Sequence, residues 1–518
     1  MPHHPHWTAW LVPLLYLLGA VVAAALPRRS LWQALACASG TALGVALAGN
    51  LSHLLPTAAI GPHNGAAAAV MTLIAFLGWV IARYSRGNLA GEPGERRFVC
   101  ALLLTLAGVS AVVAARNFAV LVLAWAASSV ALHPLLTHYR ERPAARIAAR
   151  KKFLASRLAE ACLLGAAVLL YRRWHTLGLT ALARLIALHG AAGADMQIAA
   201  VLLAAAVLLK SAQLPLHGWL VQVMEAPTSV SALLHAGVVN LGGYVLIRLA
   251  PLISASLIAQ ALLVIVGGTT AALAGLTLMT CPSLKGRLAW STCSQMGLMA
   301  AECGLGLYGL ALLHLLGHAL YKAHAFLCSG EAVRESTLVR MRPAALPRAR
   351  FAPLLALAAA AALVALSAQL WHTVLHAPGV PSIALLLCTF GVATLLWDSA
   401  GERLTLGRNA VGATLAVQLY LLWHLTMTRG LGVPSVHPAP LLAGYGALCL
   451  LLLYAAQARL WHTGRAAWPS RLYAWTAAGY FLDEPVTRLV ASRWPWRDAR
   501  SPHGPLGQWL AQREGGAA

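Results

Sequence analysis

Two groups of titratable residues interrupt otherwise apolar stretches of this 518-residue chain. The first lies in KSAQLPLHGWLVQVMEAPTSVSALLHAGVVNLGG, residues 210–243, where Lys210 closes one apolar run and His235 sits inside the next. Between them stand Pro215 and Pro227, which lack a backbone donor and are expected to break a helix; Glu225 precedes the second proline. Upstream, SRLAEACLL (156–164) sets Arg157 and Glu160 three residues apart, on one helical face where they can pair. The second group is HLLGHALYKAHAFLCSG, residues 314–330, with His314, His318 and Lys322 at i, i+4 and i+8 along one face.

These residue types suit proton transfer. Histidine titrates near neutral pH, so a ladder of histidines and lysine can pass protons. A lysine's hold on its proton depends on desolvation and on any neighbouring carboxylate, so Lys210 facing Glu160 can exchange a proton as the pair opens and closes. His235 is placed to link Lys210 to the ladder. Plainer readings stand beside these: Arg157–Glu160 as a snorkelled pair near a span end, and Lys210 as a structural lysine. Two histidines four apart can also bind zinc, but no third ligand is evident.

The elements that must position these groups are membrane helices. Hydrophobic residues make up 59% of the chain and charged ones 10%, with a mean hydropathy of +0.71; a soluble domain carries about 25% charged residues. Apolar runs long enough to span recur near 7–26, 31–50, 66–83, 98–115, 117–137, 153–171, 195–216, 228–247, 253–280, 288–304, 307–330, 351–373, 382–397, 411–428 and 439–458. The expected fold class is therefore an all-α polytopic membrane protein with about 13–15 transmembrane helices. The first run follows MPHHPH without a basic flank and reads as a span rather than a cleaved signal.

A net charge of +23 raises the possibility of nucleic-acid binding, but the Lys and Arg residues lie between spans, so no nucleic-acid partner is expected and lipid is. With the N-terminus outside, the cytoplasmic loops hold 24 Lys and Arg residues and the external loops 6, which places the C-terminus in the cytoplasm of a cell with this chain in its inner membrane. The stretch 176–190 is too short to span and reads as lying on the outer surface. The nine cysteines are scattered singly, without a CxxC or Cys/His cluster, so any metal or redox chemistry is expected in another subunit.

KSAQLPLHGWL, APTSVSALLHAG, KGRLAWSTCSQMGLM (285–299) and HALYKAHAFLCSG resemble the proton-conducting, antiporter-like subunits of respiratory complex I, Mrp antiporters and membrane-bound hydrogenases. The resemblance covers about residues 60–335 and implies two inverted five-helix repeats, with helices broken near Pro215 and around 320–330. It makes Lys210 the central proton-carrying lysine, Arg157 and Glu160 its modulating pair, and His235 the linking histidine. Lys322 and His318 then belong to the second repeat, and Lys285 to the lysine opening the preceding span. The implied divisions are N-terminal helices (1–97), first repeat (98–250), second repeat (251–373), C-terminal helices (374–471) and an interfacial or cytoplasmic tail (472–518).

Three departures stand out. The fifth span reads Trp125-Ala126-Ala127-Ser128 where the respiratory subunits carry a glutamate after the tryptophan, leaving Glu160 as the expected acidic partner of Lys210. The span at 351–373 has no lysine or acid, and there is no room for the long lateral helix. The Lys210 region and the tail GYFLDEPVTRL are most similar to the DabB family, membrane subunits of two-component inorganic-carbon accumulation systems. That similarity implies an energy-coupling role with no catalysis and no cofactor in this chain. It also implies a large cytoplasmic DabA partner whose zinc site hydrates CO2. The alternative is a subunit of a complex I-like pump or of a cation/proton antiporter.

Overall fold

The computed structural model describes residues 8–53, 62–190, 193–331, 351–397, 403–430, 439–463 and 470–493. Among these residues the chain is helical with no strand, apart from one isolated bridge between Asn117 and Gly178. This is what a bilayer demands, since helices satisfy their backbone groups internally. Among the described residues every expected span falls on helix, though the span at 195–216 stops at Lys210 and the one at 228–247 is divided by a π-helical turn. Ten are long and apolar enough to cross a membrane by length and composition. Others, such as α1 (Leu11–Ala25) and α8 (Ala194–Lys210), are short, while α14 (Leu284–Gly304) and α15 (Tyr308–Leu327) carry the polar residues of the second group.

In the first repeat, α4 (Glu95–Ala114), α5 (Phe118–Leu136), α6 (Pro143–Trp174) and α8 pack side by side. Asn117 starts α5, its side chain accepting from the Ala119 amide at 2.8 Å. A Cβ on Gly108 would lie 2.8 Å from Ser128, so α4 and α5 approach closely at the level of the buried polar residues. The short α7 (Leu179–His189) sits at the end of α6 marked by Trp174, beside the start of α5, where Phe118 donates to the Leu177 carbonyl at 2.7 Å.

After Lys210 the helix stops. Ala212 takes a left-handed conformation (φ +54°), and the amide of Leu214, left without a helical partner, donates to Thr270 Oγ1 at 3.2 Å. Helix resumes only as the single turn α9 (Gly218–Val221), and Pro227 then precedes α10 (Thr228–Leu233). A π-helical turn at Leu234–Val238 contains His235 and leads into α11 (Leu241–Arg248) and α12 (Ala250–Ser254). Both prolines thus mark breaks, as expected.

The second repeat begins with α13 (Leu257–Thr280), α14 and α15. Ser256 and Ser283 cap α13 and α14, accepting from the amides of Ala259 and Gly286 at 3.3 and 3.1 Å. A Cβ at Gly267 would come within 2.5 Å of the Gly297 carbonyl, and one at Gly297 within 2.6 Å of the Gly267 carbonyl, so these helices touch backbone to backbone. Within the window 320–330 where a break is expected, α15 ends at Leu327 and gives way to a 3-10 turn at Cys328–Glu331, beyond which residues 332–350 lie outside the described residues. His318, Lys322 and Phe326 all face protein, and no proline interrupts the run.

Helices α16 (Ala352–Leu375), α17 (Ser382–Trp397), α18 (Arg403–Gly430) and α19 (Pro440–Thr463) form a smaller core that joins α13 through Val264. Their outward leucines, Leu354, Leu366 and Leu415 among them, are exposed as a lipid-facing belt would be. The tail folds back as α20 (Ser470–Ala477) and α21 (Glu484–Arg493); its remainder, 494–518, lies outside the described residues, as does most of the expected basic loop 331–350.

Candidate proton-transfer site

The first group assembles at the end of α8. Lys210 Nζ lies 3.3 Å from Glu160 Oε1, donates to Ser129 Oγ at 3.2 Å, reaches the Trp125 carbonyl at 3.5 Å, and sits 4.7 Å from the centre of the Trp125 ring. Trp125 and Ser129 are one turn apart on α5, so Lys210 is held by that helix on one side and by Glu160 of α6 on the other. Arg157 Nη2 binds Glu160 at 2.8 Å from the preceding turn of α6. Glu160 and Lys210 are buried, whereas the Arg157 side chain is 38% exposed and opens the pair toward the surroundings.

A residue that sequence reasoning passed over completes this group. Lys152 Nζ donates to the Ser129 carbonyl at 2.6 Å and is buried. Ser129 therefore touches two lysines, Lys210 through its hydroxyl and Lys152 through its carbonyl. Lys152 had been counted among loop charges because the apolar run begins at 153, but α6 starts ten residues before it and carries it inside.

In the second group, Lys322 is fully buried and donates to the Leu288 carbonyl at 2.9 Å and to the Ser291 hydroxyl, both on α14. His318 Nδ1 is 3.2 Å from Asn240 Oδ1, which follows the π-helical turn. His314 Nδ1 lies 3.0 Å from both oxygens of Glu302, an acid whose role was open from sequence. The tight α14–α15 connection brings these two together, and the rings of His314 and His318 stand edge to face at 6.2 Å. The three expected members therefore do share one face, with Glu302, Asn240 and Ser291 as added partners.

His235 stacks on Phe326 at 4.5 Å and belongs to the side of the second group. Its two ring nitrogens, His318 Nε2 and Gln213 Oε1 are buried without a hydrogen-bond partner among protein groups. Buried polar atoms of this kind ordinarily hold bridging water. Lys285 stands apart from the buried residues. It is half-exposed at the start of α14 and donates to Thr228 Oγ1 at 3.2 Å, tying that helix to α10. Glu225 is likewise peripheral, paired with Arg142 at 3.1 Å.

Comparison with known proteins fits this geometry. The family model for the transmembrane region of NADH:quinone oxidoreductase and Mrp antiporter subunits matches residues 115–397, more than half of the chain. The probable inorganic carbon transporter subunit DabB of Hydrogenovibrio crunogenus is 39% identical over 498 residues, 94% of each chain. The corresponding DabB2 of Halothiobacillus neapolitanus is 34% identical over 450 residues, 85% of this chain and 81% of its own. In fold, a subunit of the Mrp complex from Dietzia sp. DQ12-45-1b superposes with a TM-score of 0.58 at 24% identity, covering 98% of this chain and 59% of that one. With its broken α8–α9 segment and two buried lysine groups, this chain belongs to the DabB family of probable inorganic carbon transporter subunits, within the antiporter-like superfamily of complex I and Mrp.

Proposed function

We propose that the chain is the proton-conducting subunit of an inorganic-carbon accumulation system, coupling the proton motive force to CO2 hydration by a large cytoplasmic DabA-like protein. The observation that carries this reading is the buried Lys210–Glu160 pair at the broken end of a membrane helix. Each charge near the bilayer centre costs about 2.5–3.5 kcal/mol on insertion scales, and such residues usually mark ion pathways. Residues 98–250 supply the first half-channel and 251–373 the second, with Lys210 and Lys322 as the carriers. The unpartnered nitrogens of His235 and His318 favour a water-linked connection between the two. Zinc and the hydration step belong to the partner, and this chain moves protons only.

The proposed orientation puts the N-terminus outside and the C-terminus in the cytoplasm, following the loop charges. The loops at 138–142 and 281–283, the break at 211–227 and the tail then share the cytoplasmic end. One proton crossing 100 mV releases about 2.3 kcal/mol, more than the 1.4 kcal/mol of a tenfold shift, so proton entry biases hydration appreciably.

The test is labelled inorganic-carbon accumulation in cells lacking carbonic anhydrase, with this chain expressed with and without the neighbouring large soluble gene. Accumulation should need both genes and collapse with an uncoupler. No accumulation despite an assembled complex would overturn the reading and point to cation/proton exchange.

A further inference from the structure

The tail returns to the broken segment and puts a carboxylate into it. Tyr480 Oη donates to the Leu273 carbonyl of α13 at 3.1 Å, and a Cβ on Gly479 (φ +60°) would come 2.9 Å from the Trp290 ring of α14. This seats Asp483 under α6 and α9. Its Oδ2 accepts from Lys151 Nζ at 2.6 Å, Gln222 Nε2 at 2.7 Å and Thr487 Oγ1 at 3.2 Å. Lys151 is itself buried and reaches Gln222 Oε1 at 3.0 Å as well. The other oxygen, Oδ1, is buried and accepts no hydrogen bond. It lies against Gly218, where a Cβ would stand 1.6 Å from it, so only glycine leaves room for the carboxylate.

Around Asp483 stand Lys151 from α6, Gln222 and Gly218 from the broken segment, and Thr487 from α21. His217, the neighbour of Gly218, packs on Trp290 with ring centres 4.8 Å apart. Three buried lysines, Lys151, Lys152 and Lys210, thus line this side of the repeat, with Glu160 beside the innermost. Buried charges are usually paired. Asp483 is the second acid of the array, delivered from a position 261 residues after Gln222. One oxygen is fixed by three donors while the other has no hydrogen-bond partner among the described residues.

We propose that Asp483 is a proton-exchanging carboxylate at the tail-facing end of the first half-channel, an inference that rests on the proton-conducting reading above. A proton passing between the Lys210–Ser129–Lys152 group and the solution is taken up on Oδ1 and released from it, and no other bond changes. The tail is then part of the conducting unit, standing in at this end for the acid that the fifth span lacks.

The test uses the complete complex of this chain and its soluble partner in proteoliposomes. It reads proton flux with an internal pH dye and tail docking by trypsin cleavage at Arg488 and Arg493. Asp483→Asn keeps an acceptor oxygen for Lys151, so the tail should stay protected while flux falls at least tenfold. Asp483→Glu should retain flux with a displaced pH profile. Flux within twofold of wild type in Asp483→Asn would overturn the inference. So would flux lost only together with tail protection, which would make Asp483 an anchor alone. Wild-type complex without flux would sink this inference and the underlying function together. Wild-type flux abolished by Lys210→Ala but untouched by Asp483→Asn would sink this inference alone.

Discussion

Lys210 and Lys322, the lysines of the two proposed half-channels, are both buried but live in different company. Lys210 faces a carboxylate, Glu160, that is shared with Arg157, and it touches Lys152 through Ser129. Lys322 meets a carbonyl, a hydroxyl and, at 5.6 Å, the Tyr321 ring, with no carboxylate paired to it among the described residues, while the acid of its half, Glu302, is bound to His314 two turns away. In the first group two basic side chains share one carboxylate. In the second the carboxylate sits at one end, held by a histidine and away from the lysine. In the proposed path, opening the first pair governs whether a proton moves, and the second group governs how easily it travels on.

Replacing Lys210 should have the largest effect. Lys210→Ala is expected to lower uncoupler-sensitive carbon accumulation by about 100-fold or more, the scale of a lost acid–base group, with the complex still assembled. Full activity in that variant would remove Lys210 from the path. Stability should separate the two acids next. Glu160→Gln leaves the buried Lys210 without its anion and should cost about 3–5 kcal/mol in unfolding of the purified complex. Glu302→Gln, whose histidine partner can become neutral, should cost closer to 1 kcal/mol; equal losses would erase the contrast.

The two lysines should also differ when made apolar. Lys322→Met removes a buried cation with no acid beside it, so it should abolish flux yet leave the thermal midpoint unchanged or higher, a gain of up to about 1–4 kcal/mol. A large fall in the midpoint would mean that Lys322 is structurally paired after all. The smallest expected effect belongs to Ser129→Ala, which removes one hydrogen bond to Lys210 and leaves the Ser129 carbonyl to Lys152. About 1 kcal/mol, or roughly fivefold in flux, is expected, and a 100-fold loss would make the hydroxyl an obligatory carrier.

Much of this was legible in the sequence because charges inside apolar runs have few innocent explanations. Lys210, Glu160, His314, His318 and Lys322 announced themselves that way, and the prolines marked the break. What the sequence hid was set by neighbours distant along the chain. Ser129 is an ordinary helix serine until α4 and α5 close at Gly108. Lys152 resembles a loop charge because its helix begins in polar sequence. Glu302 acquires a meaning only when the α14–α15 turn presents it to His314. Asp483 lies in the tail stretch GYFLDEPVTRL, which carries the family resemblance and reads as interfacial or cytoplasmic, but nothing in it points to Lys151 or Gly218. In α15 the ladder is held in continuous helix as far as Leu327, with His318 and Lys322 buried while Tyr321 and His324 on the other face are exposed.

The backbone contact between Gly267 and Gly297 makes α13 and α14 a single rigid plate. The same α13 grips the broken segment, through Thr270 and the Leu214 amide, and α14 carries the carbonyl and hydroxyl that hold Lys322. The broken segment beside Lys210 and the cradle of Lys322 are thus fastened to the same pair of helices, which meet at glycines that bear no charge at all.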